Sequence, residues 1–339
     1  MKQIWITKPG DVDVLEIREA PDPEPAEGEV RVAVKAIGIN FADIMARMGM
    51  YQDAPPIPYV VGYDIAGVVD ACGAGVERFR EGDRVFGLSR FGGYATAVSV
   101  PEHRLFGVPE GMDIADAAAI GVNYFTAYLA LMKAGNLERG ERLLVHSAGG
   151  GVGVAAIQLG RHVGAEIFGT ASVGKHAFLR EIGCDHPIDY RTQDFEREVM
   201  RLTEGKGVHL VLDAVGGRSL KKDYRILAPL GRIIPFGISG AAKGRTRNPL
   251  RILRTALAFP WFHPIPLMQR NQGVFGLNLG HLWEELPRLR YMGEEIVRLC
   301  SEGVLRPRAA HRFAFSEVRE AQRFMQDRQN TGKVVLTVE

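Results

Sequence analysis

Cysteine is scarce in this chain, with three residues in 339, at positions 72, 184 and 300. An odd, widely spaced set with no C-x-x-C argues against a disulfide framework and a cysteine-built zinc site, and leaves buried or idle thiols in a reducing compartment as the expectation. A surplus of either charge is also missing. Forty-two Lys and Arg stand against 40 Asp and Glu, a formal net charge of +2, too balanced for a nucleic-acid partner or an electrostatically held membrane surface. A small molecule is the expected ligand. The most apolar late stretch, 255–268, is broken by Pro260, Pro264 and Pro266 and is too short to span a bilayer. Residues Met1 to Pro9 hold no apolar core of the length that a secretory signal needs, so cytoplasmic residence is expected.

Glycine, by contrast, is concentrated where it carries information. The apolar run Leu143-Leu144-Val145 breaks at His146-Ser147-Ala148 into Gly149-Gly150-Gly151-Val152-Gly153 and continues as the helix-like Val154-Ala155-Ala156-Ile157-Gln158-Leu159. Strand, glycine turn and helix in this order make a pyrophosphate cradle, because bare backbone lets phosphate oxygens reach unpaired helix N–H groups and the positive dipole end. The match to G-x-G-x-x-G is imperfect, with Ala148 in the place of the first glycine. A second strand at 165–171 completes the βαβ context that the motif requires. A merely tight turn under a packed helix is the alternative reading.

At this length two domains are expected. Residues 1–122 read as short strands and turns, with Gly28 to Val34 alternating and Val60 to Val69 punctuated by glycine. From about Asn123 helix and strand alternate, the signature of a parallel sheet covered on both faces. Strands are expected at 165–171, 186–190, 208–213, 232–237 and 274–277, with helices at 154–163, 174–182, 194–203 and 219–228. The end of the chain, 312–315 and 333–338, looks β again. The predicted organisation is thus a mostly-β domain of 1–122 completed by 304–339, and a doubly wound α/β Rossmann domain of 123–303.

The cofactor is read from the end of the second strand, where an NAD enzyme normally carries an acid that accepts both ribose hydroxyls. Ala171, Ser172 and Val173 stand there, followed by Lys175 and His176. A hydroxyl and an ammonium suit a 2′-phosphate, which a carboxylate would repel, so NADPH is expected. A solvated helix start is the plainer account of Lys175. Tyr190, past the third strand, offers a phosphate-facing hydroxyl or core packing.

The order of parts resembles the medium-chain dehydrogenase/reductase superfamily, and within it the zinc-free quinone oxidoreductase branch. The resemblance covers nearly the whole chain and rests on Gly38-Ile39-Asn40-Phe41-Ala42-Asp43, Gly62-Tyr63-Asp64-Ile65-Ala66-Gly67, Asn123-Tyr124-Phe125-Thr126-Ala127-Tyr128 and His146 to Gly153. The stretches 168–172, 175–176, 186–190 and 275–280 look closest to its vesicle-amine-transport-protein-like members. It implies a GroES-like first domain and a homodimer paired through the strand at 274–277. The zinc alcohol dehydrogenases of the superfamily place Cys in the first motif and His-Glu in the second, where this chain has Asn40 and Tyr63-Asp64. No cysteine lies between Gly82 and Pro101 for a structural zinc lobe either. Neither amide nor phenol replaces thiolate and imidazole, so no metal is expected.

Without a Lewis acid, an electrophilic acceptor such as a quinone or α,β-unsaturated carbonyl is the expected substrate, its developing negative charge met by hydrogen-bond donors. The resemblance implies Asn40 and Thr126 at the nicotinamide end, with Asn40 also facing the substrate. Tyr51 and Asp43 would line the same cleft, Tyr51 as the better proton donor. The structural alternatives are a turn role for Asn40 and a partnership of Asp43 with Arg47 at i+4. It further implies cofactor contacts at Gly150, Gly151, Val152 and Gly153, at Phe236-Gly237-Ile238 and Phe275-Gly276-Leu277, at Val215, and at Lys333. The basic and aromatic segment 241–270, with Lys243, Arg245, Arg247, Arg251 and Arg254 ahead of Phe259, Trp261 and Phe262, reads as a lid, a pocket wall or a lipid-contacting element. The last of these carries a rival function: an NADPH-binding, membrane-associated scaffold with little turnover.

Overall fold

The computed structural model describes the whole chain apart from Lys243, Arg245, Thr246 and Arg247 and the side chains of Pro249 and Arg251. The basic residues of 243–251 named above therefore lie outside the described residues. Among the described residues two compact units form, the first from Met1–Phe125, Gly244 and Leu279–Glu339, the second from 126–242 and Asn248–Asn278.

The first unit is built on alternation. In the strand Glu29–Ile39, Val30, Val32 and Val34 are turned inward and buried, the period of two that one buried sheet face demands. That strand is central to a seven-stranded sheet, flanked on one side by Val334–Thr337 and His311–Ala314 and on the other by Asp64–Cys72, Arg84–Leu88 and Leu105–Gly107, with Ala97–Pro101 also paired to it. The carboxyl-terminal strand runs antiparallel to Glu29–Ile39 with Val334 opposite Ile39. This register sets Lys333 beside Asn40, residues far apart in the chain. A core of Ile4, Ile6, Val32, Ile37, Tyr94 and Leu336 fills the space behind the sheet.

The expected boundaries at 122 and 304 are corrected by packing. Phe125 lies against Phe106 at 5.5 Å between ring centres, and Gly293, in the helix Leu286–Ser301, sits so close to Phe106 that a Cβ there would stand 2.1 Å from the ring. Arg104 covers the ring of Trp283 at 5.3 Å. The helix that its position in the chain assigned to the nucleotide domain therefore belongs to the first unit.

In the second unit six parallel strands lie in the order His186–Asp189, Glu166–Ala171, Arg142–Val145, Val208–Asp213, Leu227–Pro235 and Gly273–Val274. Numbered along the chain this order is 3-2-1-4-5-6, and the direction of winding reverses between the first and fourth strands, where open α/β sheets bind ligands. The helix Gly151–Val163 ends at Gly164 with φ +88°, a left-handed cap that glycine adopts without strain. The strand expected at 274–277 is shorter than its apolar run suggested. Only Gly273–Val274 pairs as a strand, although Phe275 and Leu277 still donate N–H bonds to Ile233 and Pro235.

Phe259 and Phe262 of the 241–270 segment pack on the core of this unit, so they are not lipid-inserting residues, whereas Trp261 is 99% exposed. Among the described residues no helix is long and apolar enough to cross a membrane. Cys72 is exposed, while burial raises the thiols of Cys184 and Cys300 to about 12.

Candidate functional site

The glycine turn of the second unit has the geometry that its sequence implied. Ser147 takes φ +54° and its carbonyl accepts the Gly150 N–H at 2.8 Å, closing the turn. Gly150 then caps the helix with no side chain to satisfy the first N–H groups, which leaves those donors for a ligand. Gly153 has no room for anything larger, because a Cβ there would stand 2.5 Å from the Ala148 carbonyl oxygen. Gly149 is covered by Lys175, whose Cδ would lie 2.8 Å from a Cβ at position 149. The lysine that follows the second strand thus lies across the turn. Ser172 is half-buried and makes no cap bond with its hydroxyl, and Tyr190 is 41% exposed rather than core. Bare N–H donors, a hydroxyl and an ammonium in one place fit a phosphate-bearing dinucleotide.

Val215 follows the fourth strand in an open cavity of about 730 Å³ lined also by Gly216, Gly217, Arg218, Lys221 and Arg254. Phe236 donates its N–H to the Asp213 carbonyl at 2.9 Å, Ile238 is exposed, Phe275 and Gly276 are exposed, and Leu277 is buried. Thr126, on the helix Gly121–Tyr128, is 6% exposed.

A second polar cluster stands in the first unit. Asn40 caps the helix Phe41–Arg47, and its N–H donates to Asp43 Oδ2 at 2.8 Å, one half of a capping box. Tyr94 Oη donates to the same carboxylate oxygen at 2.9 Å. Asp43 is 0% exposed, and burial raises its carboxyl to about 7 against these donors and the Lys333 charge. It has no surface with which to touch a substrate, and it fixes the Asn40 turn instead. Arg47 is not its partner: that guanidinium donates to Gly10 O at 3.0 Å and meets Asp11 at 3.3 Å.

Lys333 is buried among polar partners of the first unit. Its Nζ donates to Asn40 Oδ1 at 2.7 Å and forms a buried ion pair with Asp64 Oδ2, while Asn40 Nδ2 donates to the same Asp64 oxygen at 2.9 Å. Asp64 Oδ1 accepts the Val122 N–H at 2.7 Å, at the positive end of the next helix. A Cβ on Gly38 would strike Lys333 Cε at 2.5 Å, and one on Gly121 would strike Asp64 at 2.1 Å. The two glycines make room for the ion pair. The oxygens that a cation would need are already occupied by an ammonium, so this donor set does not fit zinc. Tyr51 is half-buried, its ring edge-on to Tyr63 at 6.4 Å, and burial raises its hydroxyl above the usual phenol range.

Sequence reasoning missed one cluster entirely. His146, Asp213 and Asp223 are buried together at the ends of the first and fourth strands and on the helix Arg218–Arg225, their ligating atoms within 4.8 Å of one another. The signal available was a histidine and an acid each placed at the end of an apolar strand.

The matched family models agree with this architecture: "Alcohol dehydrogenase GroES-like domain" over 26–110 and "Zinc-binding dehydrogenase" over 182–336. The rat synaptic vesicle membrane protein VAT-1 homolog is 40% identical over 328 residues, 95% of this chain and 80% of that protein. The quinone oxidoreductase of Escherichia coli, solved with NADPH, superposes with a TM-score of 0.88 at 28% identity over 100% of both chains. The CurK enoyl reductase superposes at 0.86 with 28% identity, over 100% of this chain and 99% of that one. The chain belongs to the medium-chain dehydrogenase/reductase superfamily, on the quinone oxidoreductase-like branch that includes the VAT-1 homologs, and is an oxidoreductase of the quinone-oxidoreductase and enoyl-reductase type.

Proposed function

We propose that the protein is a zinc-independent, NADPH-dependent reductase of quinones or α,β-unsaturated carbonyls, enoyl thioesters being the nearest variant. The observation that carries this reading is Lys175 lying across the bare glycine turn, with no acid at the end of the second strand to repel a 2′-phosphate. The E. coli relative solved with NADPH supports the same cofactor. When bound, NADPH supplies a hydride to the electrophilic carbon.

Gly150, Gly151, Val152 and Gly153 hold the pyrophosphate on helix N–H groups, and Ser172, Lys175 and Tyr190 meet the 2′-phosphate. Val215 contacts the adenosine, and the backbone at 236–238 and 275–277 meets the nicotinamide with Thr126. Tyr51 stays protonated at neutral pH and hands its proton to the oxygen on which charge develops, and Asn40, immobilised by Lys333 and Asp64, fixes the turn beside it. The short edge strand Gly273–Val274, followed by an exposed Phe275, supports pairing of two copies along the sheet edge.

One observation favours the scaffold reading as the second. The helix Pro249–Ala258 exposes Leu250, Leu253 and Leu257, and Trp261, Ile265 and Met268 are exposed nearby, an apolar face of the kind that lies on a lipid surface.

NADPH oxidation over a panel of quinones and enones tests the first reading, with wild type compared to Lys175→Ala. The variant should lose roughly tenfold or more in NADPH affinity, the value of one charge-assisted phosphate contact, and little in NADH affinity. Equal loss for both cofactors removes Lys175 from the phosphate site. A silent panel combined with co-sedimentation on anionic liposomes favours the scaffold.

A further inference from the structure

We propose that His146, Asp223 and Asp213 form a buried hydrogen-bond relay that retains one proton at neutral pH and uses it to fix the Val215–Gly216 turn, making NADPH affinity fall as the pH rises. The cofactor half of this statement rests on the function proposed above, and the relay itself does not.

The connections run in one direction. Thr170 Oγ1 lies 3.0 Å from His146 Nδ1, and His146 Nε2 lies 2.8 Å from Asp223 Oδ1. Asp223 is 0% exposed, and its Oδ2 finds no donor among the described residues. The Asp213 carboxyl stands next to it, with an oxygen of each acid and a His146 nitrogen within 4.8 Å of one another. Asp213 already accepts N–H bonds from Val215 and from Gly216 (3.0 Å) and the Ser219 hydroxyl at 2.7 Å. Asp213 thus takes three donors where Asp223 takes one. Ionising Asp223 as well would place two negative charges side by side in the interior and leave one oxygen orphaned, which costs far more than keeping one proton.

With the proton on Asp223 Oδ2 and donated to Asp213, every group is satisfied. Thr170 donates to Nδ1, Nε2–H donates to Asp223 Oδ1, and Asp223 donates to Asp213. The relay ends on the backbone of Val215 and Gly216, and it spans the reversal point between the first and fourth strands, directly ahead of the glycine turn that begins at Ser147.

The surroundings leave the pair isolated. Phe195, from the helix Phe195–Leu202, lies edge-on to His146 at 4.6 Å, and Lys222, the neighbour of Asp223 in the chain, turns away to Asp194 at 2.6 Å. The titratable groups facing Asp223 are His146 and Asp213, and burial above all raises its carboxyl to about 7. A raised carboxyl gives stability that is full below the ordinary carboxylate range, falls progressively as the pH climbs from about 4 to the raised value, and is gone above it, where the proton has left for bulk water. The second negative charge then loosens the Val215–Gly216 turn.

Asp223→Asn is the isosteric test, since its amide can donate to Asp213 and accept from His146 without titrating. In thermal melts without cofactor, wild type should lose stability relative to the variant as the pH rises from about 4 to 8 and level off above that. The infrared difference between wild type and variant, in which the Asp43 carboxyl cancels, should show a protonated buried carboxyl particular to wild type disappearing between about pH 6 and 8. NADPH titration should show about fivefold weakening from pH 6.5 to 8.5 in wild type beyond any change in the variant, the lower end of ordinary site-to-site coupling. Parallel melting profiles with no carboxyl signal particular to wild type, or one tightly held divalent ion per chain in the proton's place, would overturn the relay. Melts that diverge while neither protein binds NADPH uphold the relay and reject the cofactor reading. Melts that diverge beside NADPH affinities of identical pH dependence reject the coupling.

Discussion

Replacing Lys333 by alanine should lower the unfolding free energy by about 3–5 kcal/mol, the usual cost of stranding one buried charge without its partner. Lys333 and Asp64 are 2% and 1% exposed, so neither solvent nor salt can stand in for the lost ammonium. Asn40 would lose the donor to its Oδ1 at the same moment, and the cap of the helix Phe41–Arg47 would loosen with it. Denaturant titration measures the loss. The double variant Lys333→Met, Asp64→Asn should regain most of it, because a buried pair removed whole leaves no orphaned charge. A single-variant cost below about 1 kcal/mol, the range of a surface pair, would show that the carboxylate is solvated and that the ammonium does not organise the Asn40 turn.

Gly153→Val should abolish measurable NADPH binding, a loss of about 100-fold or more, equivalent to about 2.7 kcal/mol. The added Cβ meets the Ala148 backbone oxygen rather than a movable side chain, so the turn itself must open and its N–H groups no longer converge. Gly107→Ala is the control, since a Cβ there meets no described atom within 4 Å, and it should bind as wild type does. Calorimetric titration of both variants, with circular dichroism to verify folding, decides the point. Wild-type affinity in a folded Gly153→Val protein would remove the glycine turn from the cofactor site.

The βαβ unit was legible because its determinants are local. Glycine spacing, apolar runs and the missing acid after the second strand all lie within about thirty residues, the span of one such unit. The long-range pairings were not. Nothing near Lys333 in the sequence points to Asp64, because their meeting depends on Val334 pairing opposite Ile39. The same holds for Asp223 and His146, which the sheet brings together from either side of a topological reversal. Asp43 misled for a related reason: its i+4 spacing to Arg47 suggested a partnership between the two, whereas each residue has a different partner. The helix Leu286–Ser301 was assigned by its order along the chain, and a single Gly293–Phe106 contact shows how packing overrides order.

The placement of the three thiols makes the two units separately observable. Cys72 lies at the surface of the first unit, whereas Cys300 is buried there and Cys184 is buried in the second. An alkylating reagent therefore marks Cys72 in the native protein, and marks the other two only when the surrounding unit opens. Peptide mapping of the order in which Cys184 and Cys300 react would read out, from one native sample, which half of the molecule opens first.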